Sequence, residues 1–358
     1  MNRSLVVFAT LLITCTAAAQ ELASGDALLA PLPIRDQFLL SNGLLSFAPE
    51  GPRVLDQGAW SMAFVGAESN TFAKSAWISR SLEGRTAREN APAMLTESRF
   101  QLGNALFLVD GETHRSDLTL SRGFGHALEV RISVPFMSTG GGWGDRAIEA
   151  VHHALRIGNA DRETLSRNRE TVFLRHDGVT YIRSRGQGAA VGDVSLSAKL
   201  ELLPLEDRRT NLALVSTVEL PTGNAQTLDG SGSIDAGVEL VASRDYERTH
   251  TRVTASAAIV HLGANSVLGL REQFLISDTV AIAHRLSDVT SVIAQLSVSE
   301  SPFRQLDVPE FGHRVHQLSM GVQRQFGSMI AYVALIENVA SFENSADAGL
   351  AWGISRRF

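Results

Sequence analysis

Glu149-Ala150-Val151-His152 sets a carboxylate and an imidazole three residues apart, with His153 next along. On a helix that spacing brings two metal-ligand types to one face. It is half a site, because no second such pair occurs and a structural metal takes about four ligands. The residue types otherwise read as a solvated helix face with a Glu-to-His hydrogen bond, and no metal or other cofactor is assigned. Ten histidines and abundant serines make a Ser-His hydrolytic pair in a barrel wall the enzymatic alternative. No G-x-S-x-G elbow occurs, and no serine is tied by sequence to a histidine and an orienting group, so no catalytic residue is assigned. Gly140-Gly141-Gly142 lacks the Lys-Ser/Thr ending of a phosphate loop and reads as a flexible approach to a helix. Asp110, Glu112 and Arg115 bring both charge signs together beside a turn signal at Asp110-Gly111. They either line a polar lumen and pair with Arg131, or sit in a solvated loop.

The elements that must position these groups are strands. In Val194-Ser195-Leu196-Ser197-Ala198-Lys199-Leu200-Glu201-Leu202 apolar and polar residues alternate without exception, which is the strand period. The same alternation runs through Ile234 to Ala242, Val292 to Val298 and Leu128 to Phe136. Further strands are expected over about 210 to 220, 250 to 262, 266 to 276, 279 to 287, 313 to 326, 329 to 339 and 347 to 358, for a total of about 12–16. Pro221-Thr222-Gly223-Asn224, Asp229-Gly230-Ser231-Gly232 and Gly263-Ala264-Asn265 separate them as turns or loops. The one helical candidate is 143–157, with Ile148, Val151 and Leu155 at helical spacing and Asp145 in its first turn.

Composition narrows the class. The 358 residues are 44% hydrophobic and 20% charged, too apolar for a disordered chain. Beyond the first twenty residues no apolar run reaches the roughly 18 needed for a spanning helix. The net charge is −6 and only Lys74 and Lys199 are lysines, so a basic groove for nucleic acid is absent. Arg3, the apolar stretch Leu5 to Thr14 and Ala17-Ala18-Ala19 read as a cleavable signal peptide over 1–19. Cys15, the sole cysteine, falls within it, so the exported chain has no disulfide to replace a core.

Alternating strands in an exported chain fit either a soluble sandwich or a membrane barrel. Strand length favours the barrel, since about 9 to 11 tilted residues cross a bilayer. So does charge, because Lys199, Glu201, Asp235 and Glu239 all fall opposite the apolar face. The chain ends on a strand with Leu350, Trp352, Ile354 and Phe358 on one face. That ending resembles the assembly signal of bacterial outer-membrane barrels, with Arg356 as a departure on the same face.

Phe107 to Arg115, Gly125 to Phe136, Gly140 to His153 and Asp161-Arg162, preceded by Pro31-Leu32-Pro33-Ile34-Arg35-Asp36-Gln37, resemble the family catalogued as domain of unknown function 3187. Gly192 to Lys199 and Pro221-Thr222-Gly223 fit as well, so the likeness covers nearly the whole mature chain. There is similarity also to outer-membrane proteins linked to uptake of aromatic compounds. The resemblance implies an all-β antiparallel transmembrane barrel in the outer membrane of a Gram-negative bacterium.

The expected organisation is a signal peptide at 1–19, an N-terminal periplasmic segment at 20–58, and a barrel at 59–358 with an insertion at 140–170. The expected function is passive passage of an unidentified small solute, in contact with outer-membrane lipid after insertion by the outer-membrane assembly machinery. Asp110, Glu112, Arg115, Arg131, Asp145, Glu149, His152, His153 and Arg156 are the candidates to line or constrict the lumen. The 143–157 helix either narrows the pore or lies on an outer face. A filled structural barrel and an outer-membrane lipid hydrolase are the alternatives.

Overall fold

The computed structural model describes residues 27–83, 88, 105–142, 149, 150, 153, 162–184, 186–204, 209–340 and 343–358. The segment 1–19 lies outside them. The strands are β1 (Trp60–Lys74), β2 (Leu106–Phe124), β3 (Leu128–Gly140), β4 (Thr171–His176), β5 (Val179–Arg183), β6 (Gln187–Val191), β7 (Val194–Pro204) and β8 (Thr210–Leu220). There follow β9 (Asp235–Tyr246), β10 (Thr251–Leu262), β11 (Gln273–Ser287), β12 (Thr290–Ser299), β13 (Val315–Phe326), β14 (Met329–Asn338) and β15 (Ala348–Arg357). A short helix, α1 (Ala76–Leu82), follows β1.

Twelve of these strands, β1 to β3 and β7 to β15, close an antiparallel barrel, because β1 pairs with both β2 and β15. At the seam Trp60 N donates to Phe358 O at 3.2 Å and Phe358 N donates to Trp60 O at 2.9 Å. Closure leaves no edge of unpaired backbone groups facing hydrocarbon, where each would cost several kcal/mol. Strands β4 and β5 extend the sheet from the first residues of β2, and β6 from the end of β3.

Side-chain alternation sorts the two faces as expected. Val130, Ile132, Leu196, Val238, Leu240, Ile282, Leu335 and Leu350 are exposed on the outer wall. Lys199, Glu239, Arg115 and Glu129 are buried inside. An apolar exterior with a polar interior is the pattern that a bilayer imposes on a closed sheet. The two ends differ in their connections. Gly125 and Gly327 adopt left-handed φ of 60° in the tight β2–β3 and β13–β14 turns, and short connections also join β9 to β10 and β11 to β12. Residues 221–234, 263–272, 300–314, 339, 340 and 343–347 lie in the longer connections at the other end.

Two local expectations change. Asp110-Gly111 is no turn but part of the unbroken β2. Gly111 is there because a Cβ would come within 3.1 Å of Leu39 and 3.3 Å of the Gly140 carbonyl, so glycine permits a close approach rather than a reversal. Of the strand expected over 266–276 only 273–276 is strand, continuous with the one expected over 279–287 as β11, and 266–272 lie in the connection before it. Asp278 interrupts its apolar pattern without interrupting its pairing to Ala257 and Val298. Of the helix expected over 143–157, Glu149, Ala150 and His153 are helical and the other positions lie outside the described residues.

Candidate functional site

The barrel lumen is occupied by residues 27–58, which the sequence reading sets outside it as a periplasmic segment. This stretch carries Pro31, Pro33, Pro49 and Pro52, four of the chain's ten prolines. Proline cannot donate to a ladder, so the segment crosses the lumen without joining the sheet, and inward-facing wall side chains satisfy its backbone. Gln295 acts as a surrogate strand partner: its Oε1 accepts from Leu32 N at 2.9 Å and its Nε2 donates to Leu32 O at 3.0 Å. Gln323 donates to Ala30 O at 3.0 Å, and Ser69 Oγ to Gln37 O at 3.0 Å.

The segment starts near the short-turn end, climbs past β11 to β13, reverses at Phe38 to Leu45, and descends past β9, β7 and β3 to Trp60. At the reversal Ser41 N donates to Phe38 O at 3.1 Å, and Leu44 N to Ser41 O at 2.9 Å. Arg115 donates to Asn42 O at 2.6 Å while its other nitrogens hold Asp117. Gly43 touches the 221–234 connection so closely that a Cβ would lie 2.6 Å from Leu228 O. Phe38 is fully buried among Phe303 and Phe311, with ring centroids 6.0 and 6.1 Å away. Leu39, Leu40, Leu44 and Leu45 join the same apolar cluster, which closes the long-loop end of the lumen.

The descending limb is held by charge. Glu50 accepts from Arg131 at 2.6 and 2.9 Å and from Lys199 Nζ at 2.9 Å. Glu129 accepts from Leu55 N at 3.0 Å. Small cavities lie alongside the ascending limb, among them two of about 40 Å³ each. Asp36, Ser46, Ser277 and Ser299 line both, and Glu239, Thr279 and Gln317 line the first. Each has room for about one water molecule.

The expected lumen residues separate into three groups. Arg115 and Arg131 do face the lumen, each holding the N-terminal segment. Arg131 pairs with Glu50 and not with Asp110 or Glu112, which alternation places on the outer side of β2. There both are buried, and Glu112 packs against Gly142. Glu149 is buried in the insertion between Arg88, at 2.9 Å, and Arg167, at 3.0 Å. The Arg167 and Arg88 hydrogen bonds outweigh burial and lower its pKa. His153 is exposed, while Asp145, His152 and Arg156 lie outside the described residues. Leu350, Trp352, Ile354 and Phe358 share the outer face of β15, as expected. Among the described residues no group of three or more His, Cys, Asp or Glu is placed to hold a metal.

Sequence reasoning missed Glu50 because nothing in its neighbourhood has a strand period. It also missed His114-Arg115-Ser116, where the i, i+2 spacing of a strand brings Ser116 Oγ to 3.2 Å from His114 Nε2 on the outer wall. Glu68 of β1 stands opposite His114 in the register. Ser116 is only 5% exposed.

A closed sheet with an apolar outer belt, a charged interior and a chain segment threaded through it defines a transmembrane β-barrel with a plugged lumen. The chain belongs to the DUF3187 family, described as a protein of unknown function, whose model matches residues 97–358. No curated protein is significantly similar to it in sequence. Among solved structures, the COG4313 outer membrane channel from Pseudomonas putida F1 is 13% identical with a TM-score of 0.55, covering 87% of this chain and 100% of that one. The translocator domain of the autotransporter NalP from Neisseria meningitidis is 9% identical at a TM-score of 0.42, covering 86% and 91%. The toluene transporter TodX from P. putida is 10% identical at a TM-score of 0.39, covering 85% and 90%. The first of these likenesses bears on the fold.

Proposed function

We propose that the protein is an outer-membrane channel for a small solute, closed in this state by residues 27–58. The observation that carries the reading is how the segment is attached. It is fastened by side-chain contacts, the polar ones of Gln295, Ser69, Arg115, Arg131 and Lys199 and the apolar cluster around Phe38, and forms no ladder with the wall before Gly58. A segment fused into the sheet would be a permanent filling, whereas one held by side-chain contacts alone can be displaced as a unit. The polar inner wall it covers would then hydrate a path for a solute. The constriction is therefore assigned to 27–58 in place of the 143–157 helix.

Proteoliposomes loaded with graded neutral solutes test this. The mature chain should pass only the smallest solutes slowly, and a chain lacking 27–58 should pass larger ones rapidly. Equal impermeability of the two, with folding and insertion verified, would replace the channel by a filled structural barrel.

A second reading has one observation of its own, the Ser116–His114 contact on the lipid side with Glu68 opposite. A nucleophile, base and orienting acid are the parts of a hydrolase. Labelling of Ser116 by a fluorophosphonate, lost in His114→Ala, would support lipid hydrolysis. Absence of labelling in detergent and in vesicles would remove it.

A further inference from the structure

At the short-turn rim one arrangement recurs on four strands. Arg122-Gly123-Phe124 ends β2, Arg244-Asp245-Tyr246 ends β9, Arg324-Gln325-Phe326 ends β13, and Arg356-Arg357-Phe358 ends the chain. The i, i+2 spacing puts each arginine and its aromatic residue on the same, outer face. In every case the guanidinium lies over the ring two residues on, at 5.2, 5.9, 5.7 and 5.0 Å from the centroid, and Arg122 also lies 5.0 Å from the Trp60 ring. The rings are roughly half exposed, from 43% for Phe124 to 52% for Phe326.

Resting on the membrane-spanning reading, we propose that Arg122, Arg244, Arg324 and Arg356 bind the phosphate groups of phospholipids in the leaflet at this rim. Aromatic side chains at a barrel's edge mark the headgroup level. A guanidinium stacked on such a ring is weakly hydrated, and its planar N–H fork matches a phosphate for two-point contact. The charge around it fits an anionic partner. No described lipid-facing strand position at this rim is acidic, whereas the outer face toward the long-loop end carries Glu68, Asp278 and Glu337. These three lie eight residues along their strands from Trp60, Leu286 and Met329. The charged lipid-facing strand positions of the short-turn rim are thus these arginines, whereas toward the long-loop end Lys74 of β1 shares the outer face with three carboxylates. Arg356, a departure from an apolar assembly signal, takes part in this ring.

Native mass spectrometry of the full mature barrel, titrated with phosphatidylglycerol or with a phosphate-free galactolipid of equal chain length, tests the proposal. The wild type should retain phosphatidylglycerol about tenfold more tightly. The four-site variant R122Q/R244Q/R324Q/R356Q should retain the two lipids equally, its folding checked by heat-modifiable gel mobility. Should that variant not fold, each single Gln variant should lose a share of the selectivity. Equal retention by the wild type, or unchanged selectivity in the variants, would overturn the proposal. A barrel that enters vesicles of neither lipid would overturn the membrane-spanning reading as well, whereas insertion without selectivity overturns this proposal alone.

Discussion

Glu50→Ala is expected to loosen the plug from inside the barrel. The carboxylate it removes lies between Arg131 and Lys199, whose side chains are 19% and 7% exposed. Removing one partner of a buried ion pair costs about 3–5 kcal/mol, because the other charge is left desolvated. Here Glu129 stands 4.0 Å from each cation and keeps part of the attraction, which lowers the expected cost to about 2–3 kcal/mol. With the segment displaced, both cations are free to hydrate, so the loss falls on the closed state. At about 1.4 kcal/mol per factor of ten, closed-to-open ratios should fall roughly 30- to 150-fold. Single-channel recording in a planar bilayer should register this as a rise in open probability at unchanged open conductance. Adding Arg131→Met, Lys199→Met and Glu129→Gln should restore closure, since Glu50, both cations and the second carboxylate are then all replaced by neutral groups. Unaltered gating in Glu50→Ala, with normal folding, would refute the idea that this cluster holds the plug shut.

The two limbs of the segment lie side by side, and a Cβ built at Gly51 is 3.9 Å from Ala30 Cβ, within the disulfide range of about 3.5–4.5 Å. Ala30→Cys/Gly51→Cys should therefore crosslink on oxidation and lower the open probability until reductant is added; failure to crosslink would place the limbs apart. Leu240→Arg puts a charge at the centre of the outer belt of β9, between Ile234 and Tyr246, and should cost about 2–4 kcal/mol of insertion stability. Folding yield into vesicles reads this, and a normal yield would reverse the assignment of faces. Asp347 pairs with Arg162 at 2.5 Å in the long-loop end, yet burial outweighs that pairing and pushes its pKa from 3.8 up to about 7. The native state then holds a proton that the unfolded state has released, so stability should fall as pH rises from about 4 to 7. Asp347→Asn should flatten the change in apparent Tm over that window, and an unchanged slope would assign it to other groups.

The barrel wall was legible because a bilayer outside and a polar lumen inside give each strand two chemically opposite faces. Val194 to Leu202 and Leu128 to Phe136 carry that contrast residue by residue. Where a strand departs from it, as at Asp278, the reading split β11 in two, although pairing tolerates a polar side chain on the outer face. Asp110-Gly111 misled because glycine serves turns and close approaches alike, and only the neighbouring Leu39 and Gly140 decide which. The plug was hidden for a different reason. Pro31, Pro33, Pro49 and Pro52 give 27–58 no period at all, and its place depends on contacts up to 295 residues distant, such as Gln323 with Leu28. Glu50 could be found only by asking which carboxylate neutralises Lys199 and Arg131, whose positions on inward faces were readable.

The conductance of the barrel with and without residues 27–58, each refolded and reconstituted in a planar bilayer, tests the central claim most directly. The account predicts small or rare openings for the intact chain and stable, larger steps once the segment is gone. Identical traces from the two, silent or open, would contradict it.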